Sequence, residues 1–448
     1  MAFSMLSADV ASSQNELPVS SARPPLAAHP VLYSLPCITS FSVKAVPVFQ
    51  RGPLLPPSTM SNGGVSGSSR VWGTVNGQEV HRIDLDTTEG FGVSFTTYGA
   101  TLLSVRSGDR DGAIEEVTLQ HDTLEGVVAG DAYYGSTVGR VCNRIVGASF
   151  SVDGEVISVD ANNGPHCLHG GAKGFDKAVW RHEVFHTSDG VGVKFEYDSP
   201  DGEGGFPGAL AVKVTYSVKQ GSERGTGELQ TAMEAEYVTD DDGGKEKKRG
   251  PTPVNLTNHA YWNLSGDRKR SVRDHELMMR CDRYLPLDEQ PVRVPTGEIM
   301  PVLGTPFDFT EGASLGAAID GVGGNPPGVD NCLVRVGTSD GGRAAATSGG
   351  KDGEDADGLP LIGRLSEAES GRVMEVFGSQ PCAQIYTSNY LSTDPADRPH
   401  ARHYAVCLET QHFPAAVNHE GWVESVLLQP GGKYLETTRH VFTVQGKS

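Results

Sequence analysis

Apolar and polar positions alternate with a period of two through much of this chain. Val93, Phe95 and Thr97 alternate ahead of a turn at Tyr98–Ala100. Val191, Val193, Phe195 and Tyr197 form a second run, and Val212, Val214, Tyr216 and Val218 a third. Each is the pattern of a strand that buries one face. Residues 199–208, between the last two runs, have the Gly and Pro content of a hairpin loop. Val426 to Gln429 and Tyr434 to Thr437 flank another turn at Pro430–Gly432. Val254 and Leu256 alternate with Asn255 and Thr257, which predicts a half-buried strand running into Asn258 and His259 beside Tyr261 and Trp262. Long helical patterns are few. The expected class is all-β, a large antiparallel β-sandwich spanning residues 71–448 as one domain.

Composition adjusts this picture at three places. Residues 1–70 are rich in Ser and Pro and carry a net +2, against −19 for the 448-residue chain. They read as a disordered or transit-like N-terminal extension, or as sequence upstream of an initiator at Met60. Residues 240–250 and 337–358 read as inserted loops, because they offer little to bury. The strong negative charge disfavours nucleic acid as a partner, and no stretch approaches the roughly 20 apolar residues that span a bilayer. Seven cysteines with no C-x-x-C pair argue against both a disulfide framework and a structural zinc site. The expected setting is the cytoplasm, or a plastid or other organelle if residues 1–70 are a transit peptide.

The candidate chemistry is polar and dispersed. His259 places a group that titrates near neutrality where apolar sequence meets aromatics, although a core histidine satisfied by backbone fits the same pattern. Glu409 interrupts an apolar strand, so it is either an arginine's partner or a carboxylate held as an acid or base. Residues 139–145 contribute Arg140, Asn143 and Arg144, whose planar donors suit hydroxyl oxygens. His166 and His169 lie three apart in a turn rather than on a helix that would align them on a metal. Asp330 leads a strand and suits sugar hydroxyls, as do the amides Gln384 and Asn389. No phosphate loop, dinucleotide glycine pattern or nucleophile elbow accompanies them.

Taken in order, these segments resemble the galactose mutarotase (aldose 1-epimerase) family. The resemblance is carried by residues 139–145 (GRVCNRI), 168–171 (LHGG), 174–180 (GFDKAVW), 199–208 (SPDGEGGFPG), 252–264 (TPVNLTNHAYWNL), 330–331 (DN), 384–391 (QIYTSNYL) and 408–414 (LETQHFP). It implies a β-supersandwich that interconverts the α- and β-anomers of free hexoses without metal or cofactor. His259 is implied as general acid and Glu409 as general base, with Asn143, Arg144, His169, Asp330 and Gln384 binding a small aldose. Cys332 and His412 depart from the family pattern. A hexose-6-phosphate 1-epimerase and a non-catalytic sugar-binding module are the competing readings. The first calls for a basic cluster, and the second does not need both His259 and Glu409. A monomer or weak dimer is expected.

Overall fold

The computed structural model describes residues 60–446 except 63, 240–249, 267–269, 290–291, 343–354, 356, 395–396 and 398. Three antiparallel sheets carry the architecture. A nine-stranded sheet runs Arg181–His186, Gly190–Ser199, Ala209–Gln220, Gly227–Val238, Lys433–Val444, Arg372–Gly378, Leu361–Ser366, Glu276–Met279 and Ala313–Ser314. A six-stranded sheet runs Tyr261–Trp262, Val406–Gln411, Cys382–Tyr386, Asp330–Arg335, Cys281–Tyr284 and Met300–Pro301. A second six-stranded sheet takes consecutive strands from Met60–Asn62 to Ile114–Glu116. No helix among the described residues is long and apolar enough to cross a membrane.

The first three alternating runs become strands as predicted. In Ala209–Gln220 every second residue from Leu210 to Val218 is buried. Residues 199–208 close a hairpin onto Gly190–Ser199 through a 3-10 turn at Glu203–Gly205. Gly208 has φ +77°, and a Cβ there would lie 2.0 Å from the Tyr237 ring, so only glycine fits.

The same alternation positions the site. In Val406–Gln411, Leu408 points into the main core with Trp262, Leu229, Met374 and Phe442, so Cys407 and Glu409 point to the opposite face. In Cys382–Tyr386, Ala383 and Ile385 join that core and Gln384 takes the outer face. Gln384 pairs with Glu409 across one strand boundary and with Cys332 across the next. Glu409, Gln384 and Asp330 therefore form a polar row across three neighbouring strands.

Two expectations need correction. The N-terminal extension does not reach residue 70, because Val65–Val75 pairs along Gln78–Thr87 and Met60–Asn62 adds beside it. The exposed positions of Val65–Val75 are Ser66, Arg70, Val71 and Thr74, mostly polar, which gave that strand the look of a polar tail. Residues 1–59 lie outside the described residues, as do 240–249 and most of 343–356 in the two inserted segments. The described ends of the second insertion are anchored: Thr338 is buried and donates to Pro381 O at 2.9 Å, and Arg439 pairs with Asp355 and Asp357.

The second correction concerns residues 252–264, which do not form one half-buried strand. Thr252–Pro253 pairs with Leu427–Leu428, Thr257–Asn258 with Thr137–Val138, and Tyr261–Trp262 with Val406–Gln411. The segment steps between three partners and is buried on both sides. Its polar residues are consumed internally. Asn255 exchanges hydrogen bonds with the His412 backbone at 3.0 and 3.3 Å, and Thr257 donates to Thr410 O at 2.9 Å.

Candidate active site

A cleft of about 420 Å³ opens on the outer face of the six-stranded sheet. That volume lies within the range of small-molecule sites. It gathers Asn143, Arg144, His169, His259, Asp330, Gln384 and Glu409, the seven residues to which the family resemblance gives roles.

His259 and Glu409 meet at the floor, with Nε2 3.7 Å from Oε1 and both side chains buried. Burial lowers the His259 imidazole to about 4. Burial, and then the Asp330 charge, raise the Glu409 carboxyl well above its ordinary value. Both shifts share their largest cause: a low-dielectric floor disfavours either charge. Each shift favours the uncharged form of its group, protonated for Glu409 and neutral for His259. No arginine pairs with Glu409 among the described residues. Its Oε2 is buried without a hydrogen-bond partner, as is Gln384 Oε1. Two buried acceptors facing one cleft call for hydroxyl donors from a ligand.

The surrounding groups are held by their own bonds. Asn143 and His169 both have left-handed backbones, with φ +56° and +53°. Asn143 N donates to His169 Nδ1 at 3.2 Å, and His169 N donates to Asn143 O at 3.0 Å. With Nδ1 accepting, the neutral ring carries its proton on Nε2 and can donate to a ligand oxygen. Burial keeps His169 neutral, reinforced by His259, Arg144 and Lys177. Asp330 accepts from Gln384 Nε2 at 2.7 Å, and Arg144 Nε donates to Asn163 Oδ1 at 3.1 Å. Burial raises Asp330, opposed by Arg144 and Gln384.

Aromatic rings wall the cleft. Tyr261 stacks on His259 at 5.1 Å, and Tyr133 stacks on it at 6.0 Å from another side. Tyr133 also packs on His169 at 4.7 Å and carries Lys177 over its ring at 5.1 Å. Its phenol is pushed up to about 12, chiefly by burial, so it stays a donor at neutral pH. Tyr133, Asp131, Arg293, Tyr386 and Tyr390 line the cleft but were missed in the sequence. Tyr386 and Tyr390 sit within the QIYTSNYL motif, which was the available signal for them. The others lie in loops with no periodic pattern.

Other sequence candidates take structural roles. Arg140 is buried and donates to Pro207 O, Gly208 O, Pro200 O and Ser199 Oγ, pinning the hairpin loop. Asn389 bonds Thr387 Oγ1 and Val329 O. His166 accepts from Gly147 N and does not line the cleft. Cys332 lies in a second apolar cluster and His412 pairs with Glu436, so both departures from the family pattern fall outside the cleft.

His259, Cys407 and Glu409 bring possible metal ligands within 4.8 Å of one another. Cys407 Sγ, however, approaches Nδ1 at 3.6 Å while Glu409 approaches Nε2. These nitrogens face opposite ways, so no single ion in the ring plane takes both neighbours as placed. The donor set does not fit a metal centre.

The supersandwich and its polar cleft define a carbohydrate-handling protein with a buried imidazole–carboxylate pair. The family model for aldose 1-epimerase matches residues 81–440. Galactose mutarotase of Bos taurus is 37% identical over 355 residues, covering 79% of this chain and 91% of that protein. The Homo sapiens galactose mutarotase is 36% identical with the same coverage. The aldose 1-epimerase of Escherichia coli K12 is 29% identical over 83% of this chain and 97% of its own. An aldose epimerase homologue from C. elegans superposes with a TM-score of 0.65 at 28% identity, over 80% of this chain and 97% of its own. Galactose 1-epimerase from Lactobacillus acidophilus shares the fold with a TM-score of 0.68 at 21% identity, over 85% and 99%. The chain belongs to the aldose 1-epimerase family.

Proposed function

We propose that this protein is an aldose 1-epimerase acting on free hexoses such as galactose and glucose, with His259 and Glu409 as its proton-transfer pair. The observation that carries this reading is the buried pair 3.7 Å apart beside two unpartnered acceptors, Glu409 Oε2 and Gln384 Oε1.

With the anomeric carbon over the pair, carboxylate Glu409 takes the C1 hydroxyl proton and protonated His259 gives one to the ring oxygen. The C1–O bond electrons pass to the ring oxygen, and the C1 hydroxyl oxygen forms the aldehyde carbonyl. Rotation about C1–C2 presents the other carbonyl face. Reclosure runs the same transfers backwards: neutral His259 takes the proton from the C5 hydroxyl while protonated Glu409 returns one to the carbonyl oxygen. The pair thus alternates between two arrangements of one proton. The arrangement present with the open-chain aldehyde, proton on Glu409 and His259 neutral, is the one burial favours. The site is therefore electrostatically matched to the high-energy intermediate. Each positioned group contributes about 10²–10⁴-fold. Arg144 and the Nε2 proton of His169 donate to sugar oxygens, Asp330 and Gln384 accept from hydroxyls, and Asn143 fixes the His169 ring.

Polarimetry of freshly dissolved α-D-galactose tests the activity. The optical rotation should relax faster with enzyme than in buffer, in proportion to enzyme concentration. Relaxation at the buffer rate would remove this reading.

A further inference from the structure

One strand grips the imidazole of His259 at both ends. Cys407 and Glu409 are two residues apart in Val406–Gln411, so their side chains leave the same face of the strand. Glu409 Oε1 lies 3.7 Å from Nε2, and Cys407 Sγ lies 3.6 Å from Nδ1. The ring therefore has a carboxyl at one nitrogen and a thiol at the other. Tyr261 and Tyr386 are the cross-strand partners of Cys407 on either side. Tyr261 stacks on the imidazole face at 5.1 Å, and Tyr386 meets it edge-on at 6.4 Å. His259, Glu409 and both tyrosines line the cleft, whereas Cys407 is fully buried and acts on the ring from behind.

The contacts at Nδ1 leave one assignment of its proton. Burial, and then the Glu409 and Asp330 charges, push the Cys407 thiol well above its ordinary value, so it stays neutral. A neutral thiol can donate to a bare Nδ1 or accept from a protonated one. The ring also bonds its own main-chain carbonyl. A carbonyl only accepts, and only Nδ1 is near enough to its own main chain to reach it. Nδ1 thus carries the proton, with sulfur as its second and weaker acceptor. Neutral His259 then presents a bare Nε2 toward Glu409 and the cleft, which is the form that takes a proton from a sugar hydroxyl.

Resting on the epimerase reading, we propose that Cys407 is a positioning residue of the reaction, whose sulfur holds the His259 ring with the proton on Nδ1 and Nε2 facing Glu409. A weak, uncharged acceptor behind a histidine orients it without making it a stronger base, as a carboxylate there would. Protonated His259 therefore remains a strong acid toward the ring oxygen.

The experiment compares wild type, Cys407→Ala and Cys407→Ser by two readouts. Nitrogen NMR of histidine-labelled protein reads the tautomer, with His259 assigned as the signal lost in His259→Asn. Polarimetry on α-D-galactose reads kcat and KM. Wild type at neutral pH should show a protonated Nδ1 and a bare Nε2. Cys407→Ala should show a mixture of tautomers. It should also lose about two- to tenfold in kcat with KM nearly unchanged, as expected for one buried hydrogen bond that holds the acid but does not bind the sugar. Cys407→Ser, which keeps a neutral acceptor, should fall between the two on both readouts. A protonated Nε2 in wild type, or a Cys407→Ala variant with wild-type tautomer and kcat, overturns the proposal. No mutarotation by wild type removes the epimerase reading instead, and the NMR comparison still decides whether the sulfur holds the ring.

Discussion

At the scale of single residues, the proposed activity depends on two groups that burial holds toward their uncharged forms. In the proposed mechanism His259 and Glu409 share one proton, and activity needs that proton on the pair. The imidazole is lowered to about 4, so a second proton adds only as the pH falls through that value, and the pair then lacks a base. The carboxyl is raised, so the single proton leaves at a pH above the ordinary carboxylate range, and the pair then lacks an acid. The expected kcat/KM profile is a bell whose acid limb lies near pH 4, measured by polarimetry with buffer catalysis subtracted. An acid limb near 6.5, an ordinary imidazole value, would contradict a desolvated His259. Residues of this kind were legible in the sequence because a carboxylate inside an apolar strand and a histidine beside aromatics are chemically conspicuous. Arg140 and Arg144 could not be told apart so easily. Their roles depend on the left-handed turn at Asn143, which sends one guanidinium under the hairpin loop and the other into the cleft.

At the scale of elements, residues 252–264 show where local pattern stops informing. The alternation of Val254 and Leu256 with Asn255 and Thr257 is real, but polar positions in a strand pattern imply solvent only if no other chain covers them. Here distant strands cover both faces, and the polar side chains staple the segment to the strand that carries Glu409. Strands that pair with sequence neighbours, such as Gly190–Ser199 with Ala209–Gln220, were legible; pairings across more than a hundred residues were not. The staples should be costly to cut. Thr257→Val leaves Thr410 O without its side-chain donor, and Asn255→Ala removes two bonds to His412. Each should destabilise by about 1–3 kcal/mol, read from urea midpoints. Each should also lower kcat, because the segment positions His259 against Glu409. Unchanged midpoints would mean the staples are dispensable.

At the scale of the whole molecule, the sandwich buries several neutral histidines, and these tie stability to pH. His275 accepts from Leu264 N at 2.9 Å, and burial lowers it to about 4. Between about 4 and 6.5 the unfolded chain binds more protons at this group than the folded one, so its contribution to stability falls as the pH falls. Buried carboxyls with raised values, such as Glu116 and Asp176, work in the opposite sense. The sign is therefore best isolated by substitution. His275→Gln, which keeps an acceptor but cannot titrate, should lose about 2 kcal/mol less than wild type between pH 7 and pH 5, read from urea denaturation at both pH values. Equal losses would exclude His275 as a linked group. The central claim concerns catalysis by the His259–Glu409 pair, and one comparison tests it most directly: polarimetric kcat on α-D-galactose for wild type, Glu409→Gln and His259→Asn, each confirmed folded by circular dichroism. Both folded variants should lose about 10²–10⁴-fold, whereas either one working near the wild-type rate would contradict the account.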